Sequence, residues 1–365
     1  MTLPTVDYTI PPLRDSDMHA SAPSSPFAAV HAQAELHHQY LIGLQLMIAT
    51  REGPEVVGEW MFRLFRRKHE ESFLSGLVKL GLDGLPHAVA CARYHVLSNG
   101  IGGVGVDYME ESDTRAWVRF RYPRWMYDGP ALCGVPIEAS RGFLRGWYAQ
   151  NGVTLGNHRL GFVCVSEDMS GQFGLCGYFR EADRPLGEDE RLVFAPHERP
   201  PAWDPERQPR LAAGEWSEER LARAGRNYAM GYIRTGICEL AAVIGSERTR
   251  KHAGLAGRLI GLQHYSRMAD RIGGIDGKPA DAARFLARMF RGMGDEVTMT
   301  DSADGTISLD HGGLRILRGL AGSERDTLLA CWIELWRGAI ASHRGFMTLD
   351  VRDGGDRLTW TLRAG

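Results

Sequence analysis

The feature that most constrains the fold is an internal repeat, because segments from the first half of the 365-residue chain return in the second half. The paired segments share aromatic, glycine and charged residues and occur in the same order: YLIGLQ (40–45) with YAMGYI (228–233), RRKHEESFLSGLVKLGL (66–82) with TRKHAGLAGRLIGLQ (249–263), and HRLGFVCVSEDMSG (158–171) with HRGFMTLDVRDGG (343–355). A repeat of this length predicts two tandem copies of one domain, unlike the short period of a solenoid.

Two proline-rich segments mark the limits of the copies. Residues 1–33 are rich in Pro, Ser and Ala, which predicts an extended or disordered arm. Residues 183–214 place six prolines among charged residues and are typical of an interdomain linker. We therefore predict a first domain at 34–182, which holds the working site, and a second, degenerate copy at 215–365.

Each copy is predicted to begin with helices and to continue with strands. The hydrophobic periodicity of the first copy predicts helices over 35–51, 55–81 and 85–98, a strand pair over 104–112 and 114–123, a helix over 134–151 and a closing hairpin within 161–181. The alternation of apolar and charged residues in the second strand predicts a sheet with one wet face. Helices segregated against an antiparallel sheet define an α+β fold.

Charge and hydropathy exclude several classes of protein. The 43 basic and 45 acidic residues leave no excess that would favour nucleic acid or an anionic membrane. The sequence has no run of about 18 apolar residues, so no membrane span is predicted, and the N-terminus has no signal-peptide pattern. Six cysteines at irregular spacing predict reduced thiols. We expect a cytoplasmic protein whose partner is a small molecule or, in a homodimer, another copy of the chain.

The closing hairpin of the first copy carries a cysteine on each arm. Four of its residues follow a pattern of cysteine, glycine, cysteine and aromatic: Cys164, Gly171, Cys176 and Phe179. Together with Cys133 and the turn RYPRW (121–125), this order resembles the small-molecule-binding domain named after 4-vinyl reductase and the related L-2-amino-thiazoline-4-carboxylic acid hydrolase family. The resemblance implies two tandem copies of a domain of helices and antiparallel sheet that handles a small molecule.

The chain departs from this family pattern at several positions. The closing cysteines are twelve residues apart, wider than the usual spacing. Tyr122 and Pro136 stand where the family has a cysteine and an aspartate. In the second copy, Thr348 and Trp360 occupy the positions of the closing cysteines. We therefore assign any thiol or metal chemistry to the first copy alone.

The cysteines are compatible with three roles. Cys133, Cys164 and Cys176 could bind zinc, which takes about four such ligands. The candidate fourth ligands are Glu167, Asp168 and His158. Alternatively, Cys164 is a nucleophilic or redox thiol with His158 nearby. In the third interpretation Cys164 and Cys176 are small buried side chains that only fill space.

Carboxylates could transfer protons beside these thiols. Glu167 and Asp168 lie between the closing strands, and Asp107 belongs to the acidic cluster DYMEESD (107–113). Paired carboxylates act as general acid and base when burial raises one pKa. Most of these residues fall in predicted turns and are expected to be solvated, but strand alternation could point Asp107 inward.

The segment GIGGVG (100–105) matches the dinucleotide-binding fingerprint in its glycines. A predicted helix precedes it and a predicted strand follows, whereas pyrophosphate binding requires the reverse order. We therefore predict a flexible turn that could gate a pocket.

Aromatic residues and arginines are concentrated in the strands and last helix of the first copy. Trp117, Tyr122 and Trp147 are candidates for contact with a ring-bearing ligand, and Arg141 and Arg145 for binding an anionic group. The family resemblance implies hydrolysis of a carbon–nitrogen or carbon–sulfur bond in a small compound, for example a heterocycle. The alternatives are a non-catalytic small-molecule-binding or sensory protein and a dimerising scaffold.

Overall fold

The structure is a computed structural model that describes residues 26–170, 174–212, 214–273, 277–343 and 346–364. Gly171 of the family pattern and most of the predicted arm lie outside these ranges. The helices of the described part are α1 (Ala28–Arg51), α2 (Pro54–Lys79), α3 (His87–Ile101), α4 (Ala131–Gly134), α5 (Ile137–Gly146), α6 (Asn151–Thr154), α7 (Glu218–Ile244), α8 (Ser246–Ile272), α9 (Pro279–Gly292) and α10 (Gly322–Ala341). Its strands are β1 (Val106–Ser112), β2 (Arg115–Phe120), β3 (Leu160–Ser166), β4 (Cys176–Glu181), β5 (Leu192–Phe194), β6 (Glu296–Asp301), β7 (Ile307–Gly312), β8 (Met347–Asp353) and β9 (Arg357–Ala364).

Both halves have the same order of elements. Three helices lead into a hairpin, helical structure follows, and a second hairpin completes an antiparallel sheet. The strand orders correspond, β1-β2-β4-β3-β5 in the first half and β6-β7-β9-β8 in the second. This segregation of helices and antiparallel strands confirms the predicted α+β class.

The helix predicted over 134–151 is interrupted in the structure. It consists of α4, α5, a 3-10 turn (Tyr148–Gln150) and α6. Pro136 stands immediately before α5 in an extended conformation, with ψ of 152°. Because the residue before a proline is disfavoured in the helical region, Val135 is extended as well and α4 ends there.

The first helix of each half packs against the other half. Helix α1 lies on α7, α8 and α9, and α7 lies on α2. Tyr40 in α1 donates its hydroxyl hydrogen to the carbonyl of Ala253 in α8, at 2.8 Å. Trp60 in α2 donates Nε1–H to the carbonyl of Gly236 in α7, at 2.7 Å. The Tyr40 phenol and the Trp60 indole bury large apolar surfaces while their polar atoms bond to backbone carbonyls of the other half. These contacts hold the first helices of one half against the other half.

One continuous apolar core results from these helix contacts between the two halves. The largest cluster of buried side chains includes residues of both halves. The predicted boundaries 34–182 and 215–365 enclose β1–β4 and β6–β9, but the packed regions beside the two sheets, here the first core and the second core, join into one cluster. Helix α1 also begins at Ala28, within the segment 1–33 that was predicted to be an arm. Its first turns are helical because they are buried against α9, as at Ala32.

The proline-rich segment 183–214 covers the first sheet and is not a free linker. Its strand β5 pairs with β3 in parallel. The Gln208 side chain donates to the carbonyl of Tyr108 and accepts from its N–H, both at 2.9 Å, along the free edge of β1. Trp117, on the same face of β2 as Arg119, is 2% exposed, because Val193 and Ala195 of this segment pack over that face. The prediction of one wet face is thus wrong for the first sheet.

The second sheet does have one wet face. Along β9, Leu358, Trp360 and Leu362 are buried and point to the helices, whereas the residues between them are more exposed. No described segment equivalent to 183–214 covers the outer side.

Helix packing beside both sheets depends on glycines. A Cβ on Gly146 of α5 would lie 2.4 Å from the carbonyl oxygen of Phe62 in α2. A Cβ on Gly261 of α8 would lie 1.9 Å from the carbonyl oxygen of Leu335 in α10. Only glycine permits so close an approach of two backbones. Within the described ranges, no helix is long and apolar enough to cross a membrane.

Candidate functional site

The candidate site is centred on a buried ion pair between Arg124 and Asp168. Arg124 precedes the 3-10 turn Trp125–Tyr127, and Asp168 lies in the loop that joins β3 to β4. The Arg124 Nη1 atom donates to Asp168 Oδ1 at 2.6 Å, and the two side chains are 3% and 0% exposed. The guanidinium also lies over the Phe120 ring, 4.2 Å from its centroid. Such a pair is held in place only if its remaining polar atoms find partners.

Two hydroxyl groups complete the partners of the Asp168 carboxylate. Tyr122 donates to Oδ1 at 2.5 Å, and Ser140 of α5 donates to Oδ2 at 2.8 Å. Burial alone would lower the pKa of Arg124, but the adjacent Asp168 raises it above its ordinary value. Burial and Asp168 likewise raise the pKa of Tyr122. The phenol therefore stays protonated and the guanidinium charged.

A small cavity of about 20 Å³ adjoins this ion pair. Its lining combines both halves and is mostly aromatic: Phe65, His95, Ser98, Asn99, Val104, Arg124, Trp125, Met126, Phe143, Trp147, Tyr228 and Tyr232. Three of these residues have a buried N–H with no hydrogen-bond partner in the described part of the chain, namely Nε of Arg124 and Nε1 of Trp125 and Trp147. We call this space the inner cavity.

Neutral polar groups form the deeper wall of the inner cavity. His95 Nε2 lies 3.1 Å from Nδ2 of Asn151, and Asn99 donates to the His95 carbonyl at 2.7 Å. Burial lowers the pKa of His95 well below its ordinary value and that of nearby His69 to about 4. Both imidazoles are therefore uncharged near neutral pH, and Arg124 is the charged group at the cavity.

The three cysteines predicted as zinc ligands are not brought together. Cys164 faces the main core, whereas Cys176 lies on the opposite face of the sheet beside Trp117. Cys133 is exposed on α4. Among the described residues, no group of three or more His, Cys, Asp or Glu side chains could hold a metal ion. The geometry agrees best with the interpretation of Cys164 and Cys176 as buried small side chains.

The environment of these thiols keeps them protonated. Burial raises the pKa of Cys176 to about 12, and burial together with Glu167 raises that of Cys164 further. The Cys164 thiol donates to the Ser166 carbonyl at 3.3 Å. His158 is exposed in the turn before β3, and four residues of that strand, about 13 Å at about 3.3 Å per residue, separate Leu160 at its start from Cys164. No described base is in position to activate Cys164.

The predicted carboxylates fall into three separate places. Asp168 is the centre of the buried cluster. Glu167 points away from it and forms a bidentate ion pair with Arg141, at 2.7 and 3.1 Å. Asp107 is 3% exposed, but it lies on the outer face of the sheet and not toward the helices, and there it accepts from Arg119 at 2.7 Å.

The predicted ligand-contacting residues also separate. Trp147 lines the inner cavity, and Tyr122 reaches its ion pair. Arg145 is exposed over the Phe62 ring, and Arg141 is held by Glu167. Trp117 donates to Glu111 at 2.6 Å on the outer face. The structure thus brings together Asp168, Tyr122 and Trp147 from the predicted set.

Sequence analysis missed Arg124 and Ser140 as site residues, although RYPRW includes the arginine. The proline in that motif was a usable signal, since it ends the strand and turns the next residues inward. Tyr228 and Tyr232 were also missed. They reach the cavity from α7 of the other half, and no pattern within the first half indicates that contact.

The comparisons with known proteins add no assignment to this geometry. No family model, curated protein or solved structure matches the chain.

Proposed function

We propose that the protein binds a small molecule in the inner cavity and that the ligand offers hydrogen-bond acceptors to the three partnerless N–H groups. The observation that supports this is that three residues which line one small cavity, Arg124, Trp125 and Trp147, each have a buried N–H without a partner among the described residues. A buried donor without a partner costs about 1–3 kcal/mol. A ligand that accepts from all three recovers that free energy on binding.

The chemical class of the ligand follows from the cavity wall. A charged arginine beside aromatic rings favours a small ring that carries a carboxylate or carbonyl oxygen. The cavity of about 20 Å³ has room for about one water molecule. Entry of a ring therefore requires a wall residue to move. We assign this movement to Trp125, because its side chain also lines a larger cleft on the outer side.

Calorimetric titration of the full chain tests this proposal. The ligand panel is benzoate, 2-aminothiazoline-4-carboxylate and their uncharged analogues. We expect saturable binding of at least one carboxylate. The variant Trp147→Phe, which keeps a ring but removes one donor, should weaken that binding about tenfold through the loss of one hydrogen bond.

Trp336→Phe is the matched control. Trp336 is also fully buried with a partnerless Nε1, but it lies in the second half, away from the cavity. Its substitution should leave the affinity unchanged. Equal weakening by the two variants, or no saturation by any compound in the panel, would contradict the proposal and would favour a buried water molecule in the cavity.

Hydrolysis of a carbon–nitrogen or carbon–sulfur bond stays a prediction from the family resemblance. The protonated state of Cys164 and the position of His158 do not add support to it. Incubation of the protein with the compounds of the same panel, followed by assays for released ammonia and free thiol, provides its test. Turnover that a Cys164→Ser variant lacks would establish the thiol mechanism in place of simple binding.

A further inference from the structure

A second and larger recess lies between the first helices of the two halves. It has a volume of about 680 Å³, which is in the range of sites for organic ligands. Ala34 and His38 of α1 form one wall, Leu221 and Arg226 of α7 form the other, and Trp125 lies at the inner end. We call it the interhelix cleft. It is distinct from the inner cavity, although Trp125 borders both.

The interhelix cleft offers a flat aromatic surface. The His38 imidazole stacks on the Trp125 indole with ring centroids 4.0 Å apart and an interplanar angle of 8°. Burial lowers the pKa of His38 to about 3, so the stacked imidazole is neutral. Gly102 and Gly103 of the GIGGVG segment line the cleft. Gly102 packs against the Tyr228 ring, whereas a Cβ on Gly103 would meet no atom within 4 Å, which leaves that space open.

Arg226, which lines the interhelix cleft, belongs to a cluster of arginines. A Cβ on Gly294 would lie 2.6 Å from Nη1 of Arg226 and 2.8 Å from Nε of Arg315, so the two guanidinium groups approach each other over this glycine. Gly294 has a φ of 83°, which also favours glycine here. Arg318 and Arg223 lie close enough to interact electrostatically with Arg226. We call these four residues the arginine cluster.

The four arginines of the cluster outnumber the carboxylates near them within the described residues, Asp295 and Glu219. Arg226, Arg315 and Arg318 form no ion pair there, and Arg223 has only Glu219 at 3.8 Å. The nearby Asp295 is already bonded to His311 and to the backbone N–H of Arg315. Burial, Arg315 and Arg223 lower the pKa of Arg226, as expected where like charges are held together.

We infer that the arginine cluster binds the phosphate group of a small phosphorylated organic molecule whose ring lies in the interhelix cleft against Trp125 and His38. Guanidinium groups bind phosphate through paired charge-assisted hydrogen bonds, and several of them together suit a doubly charged anion. Glu35, Asp128 and Glu218 also line the cleft, and Glu35 pairs with Arg267 and Arg271 in its wall. The rest of the lining therefore carries no excess of positive charge that would follow a polyanionic strand, which favours a single phosphate over nucleic acid.

Calorimetry with phenyl phosphate and inorganic phosphate as probes tests this inference. We expect both to saturate the full-length protein at low salt, with phenyl phosphate binding at least about tenfold more tightly because its ring adds apolar contact. Arg226→Met should weaken both probes at least about tenfold. It should not lower the melting temperature, because it relieves repulsion. Arg226→Lys, which keeps the charge, should recover part of the affinity.

Arg352→Met is the matched control, since Arg352 is an exposed arginine on β8, outside the cluster. It should leave both affinities unchanged. Equal weakening by Arg352→Met would show nonspecific charge attraction and overturn the site. Equal affinity for phenyl phosphate and inorganic phosphate would overturn the role of the cleft. A single-stranded oligonucleotide that binds more tightly than either probe would overturn the choice of a small ligand.

Discussion

The two halves of the molecule use the same element order but build their cores from different chemistry. The third helix of each half ends before a glycine with positive φ, Gly103 and Gly294. The backbone hydrogen bonds there are equivalent: Val104 N–H to Asn99 O at 2.9 Å, and Asp295 N–H to Phe290 O at 3.1 Å. Asn99 and Phe290 therefore occupy equivalent positions. The first borders the inner cavity, and the second is fully buried.

The same contrast appears where the buried ion pair lies. Arg124 precedes a 3-10 turn in the first half, and Leu314 precedes the equivalent turn in the second. The loop that carries Asp168 is replaced by a tight hairpin in which the Gly354 N–H donates to the Arg357 carbonyl at 2.9 Å. The second core is filled by Phe290, which packs against the rings of three tryptophans: Trp332, Trp336 and Trp360.

Equivalent tyrosines on α1 and α7 show what this difference means for ligand binding. Tyr40 and Tyr232 stand at the same distance before Gly53 and Gly245, the glycines that separate the first two helices of each half. The repeat is therefore shifted by four residues from the sequence pairing of Tyr40 with Tyr228. The Tyr40 hydroxyl is committed to backbone carbonyls in the filled core. The Tyr232 hydroxyl donates only to Tyr228, at 3.1 Å, beside the inner cavity. Packing fills the core of the second half, whereas the first half retains a cavity lined by polar groups.

The largest expected effect is the removal of the buried carboxylate. Asp168→Asn leaves Arg124 buried without a charged partner, which should lower the free energy of unfolding by about 3–5 kcal/mol. Asp353→Asn is the control in the equivalent hairpin of the second half. Asp353 pairs with Arg325 but is 37% exposed, so its loss should cost at most about 1 kcal/mol. Urea unfolding measures both values, and similar costs would mean that the two halves do not differ as described.

Element order was predictable because periodicity and turn residues are local signals. The positions of α2 and α3 and the paired strands follow from alternation and helical spacing. The cysteine pair was predicted as a candidate site because thiols are common zinc ligands and nucleophiles. Their placement on opposite faces of the sheet depends on a bulge between Cys164 and Ser166, which no local pattern indicates.

The inner cavity depends on contacts between distant parts of the chain. Arg124 meets Asp168 across the sheet, and Tyr228 and Tyr232 arrive from a helix of the other half. A single sequence contains no signal for such pairings. The covering of the first sheet by residues 183–214 was missed for a related reason, since prolines indicate irregular backbone but not where that backbone lies.

Acid should destabilise both cores through buried neutral histidines. Burial lowers the pKa of His69, in the first core, and of His37, which accepts from Trp332 in the second, to about 4. Both protonate near pH 6.5 when unfolded. Each histidine therefore gives its full stabilisation above pH 6.5. Below that, the free energy of unfolding falls by about 1.4 kcal/mol per pH unit for each histidine down to about pH 4, roughly 3 kcal/mol for each.

Urea unfolding between pH 7.5 and 4.5 measures this dependence. His69→Gln and His37→Gln should each reduce the slope by about one proton. His158→Gln is the control, because His158 is exposed. If His69→Gln or His37→Gln keeps the same slope of unfolding free energy against pH as the unchanged protein, then that histidine is charged in the folded protein.

The glycine contacts test whether the two halves pack equally tightly. Gly146→Ala and Gly261→Ala place a methyl group against a backbone carbonyl in each half and should destabilise by about 1–3 kcal/mol, more for Gly261, whose approach is closer. Gly254→Ala in α8 is the control, since its Cβ would meet the Glu334 side chain at an ordinary 3.4 Å. It should be neutral or stabilising, because alanine favours helix. Thermal unfolding distinguishes these outcomes, and a harmless Gly261→Ala would contradict the packing described for α8 and α10.

The smallest expected effect concerns the sheet edges. Gln208→Leu removes two hydrogen bonds to Tyr108 from the edge of the first sheet, so the free energy of unfolding should fall by about 1–2 kcal/mol. Gln263→Leu is the control, as Gln263 is an exposed glutamine on α8. Hydrogen exchange of the Tyr108 amide should accelerate in Gln208→Leu, whereas amides of the second edge strand, β6, should not change. Unchanged exchange at Tyr108 would mean that residues 183–214 cover the sheet without stabilising its edge, and the two sheets would then differ only in their outer faces.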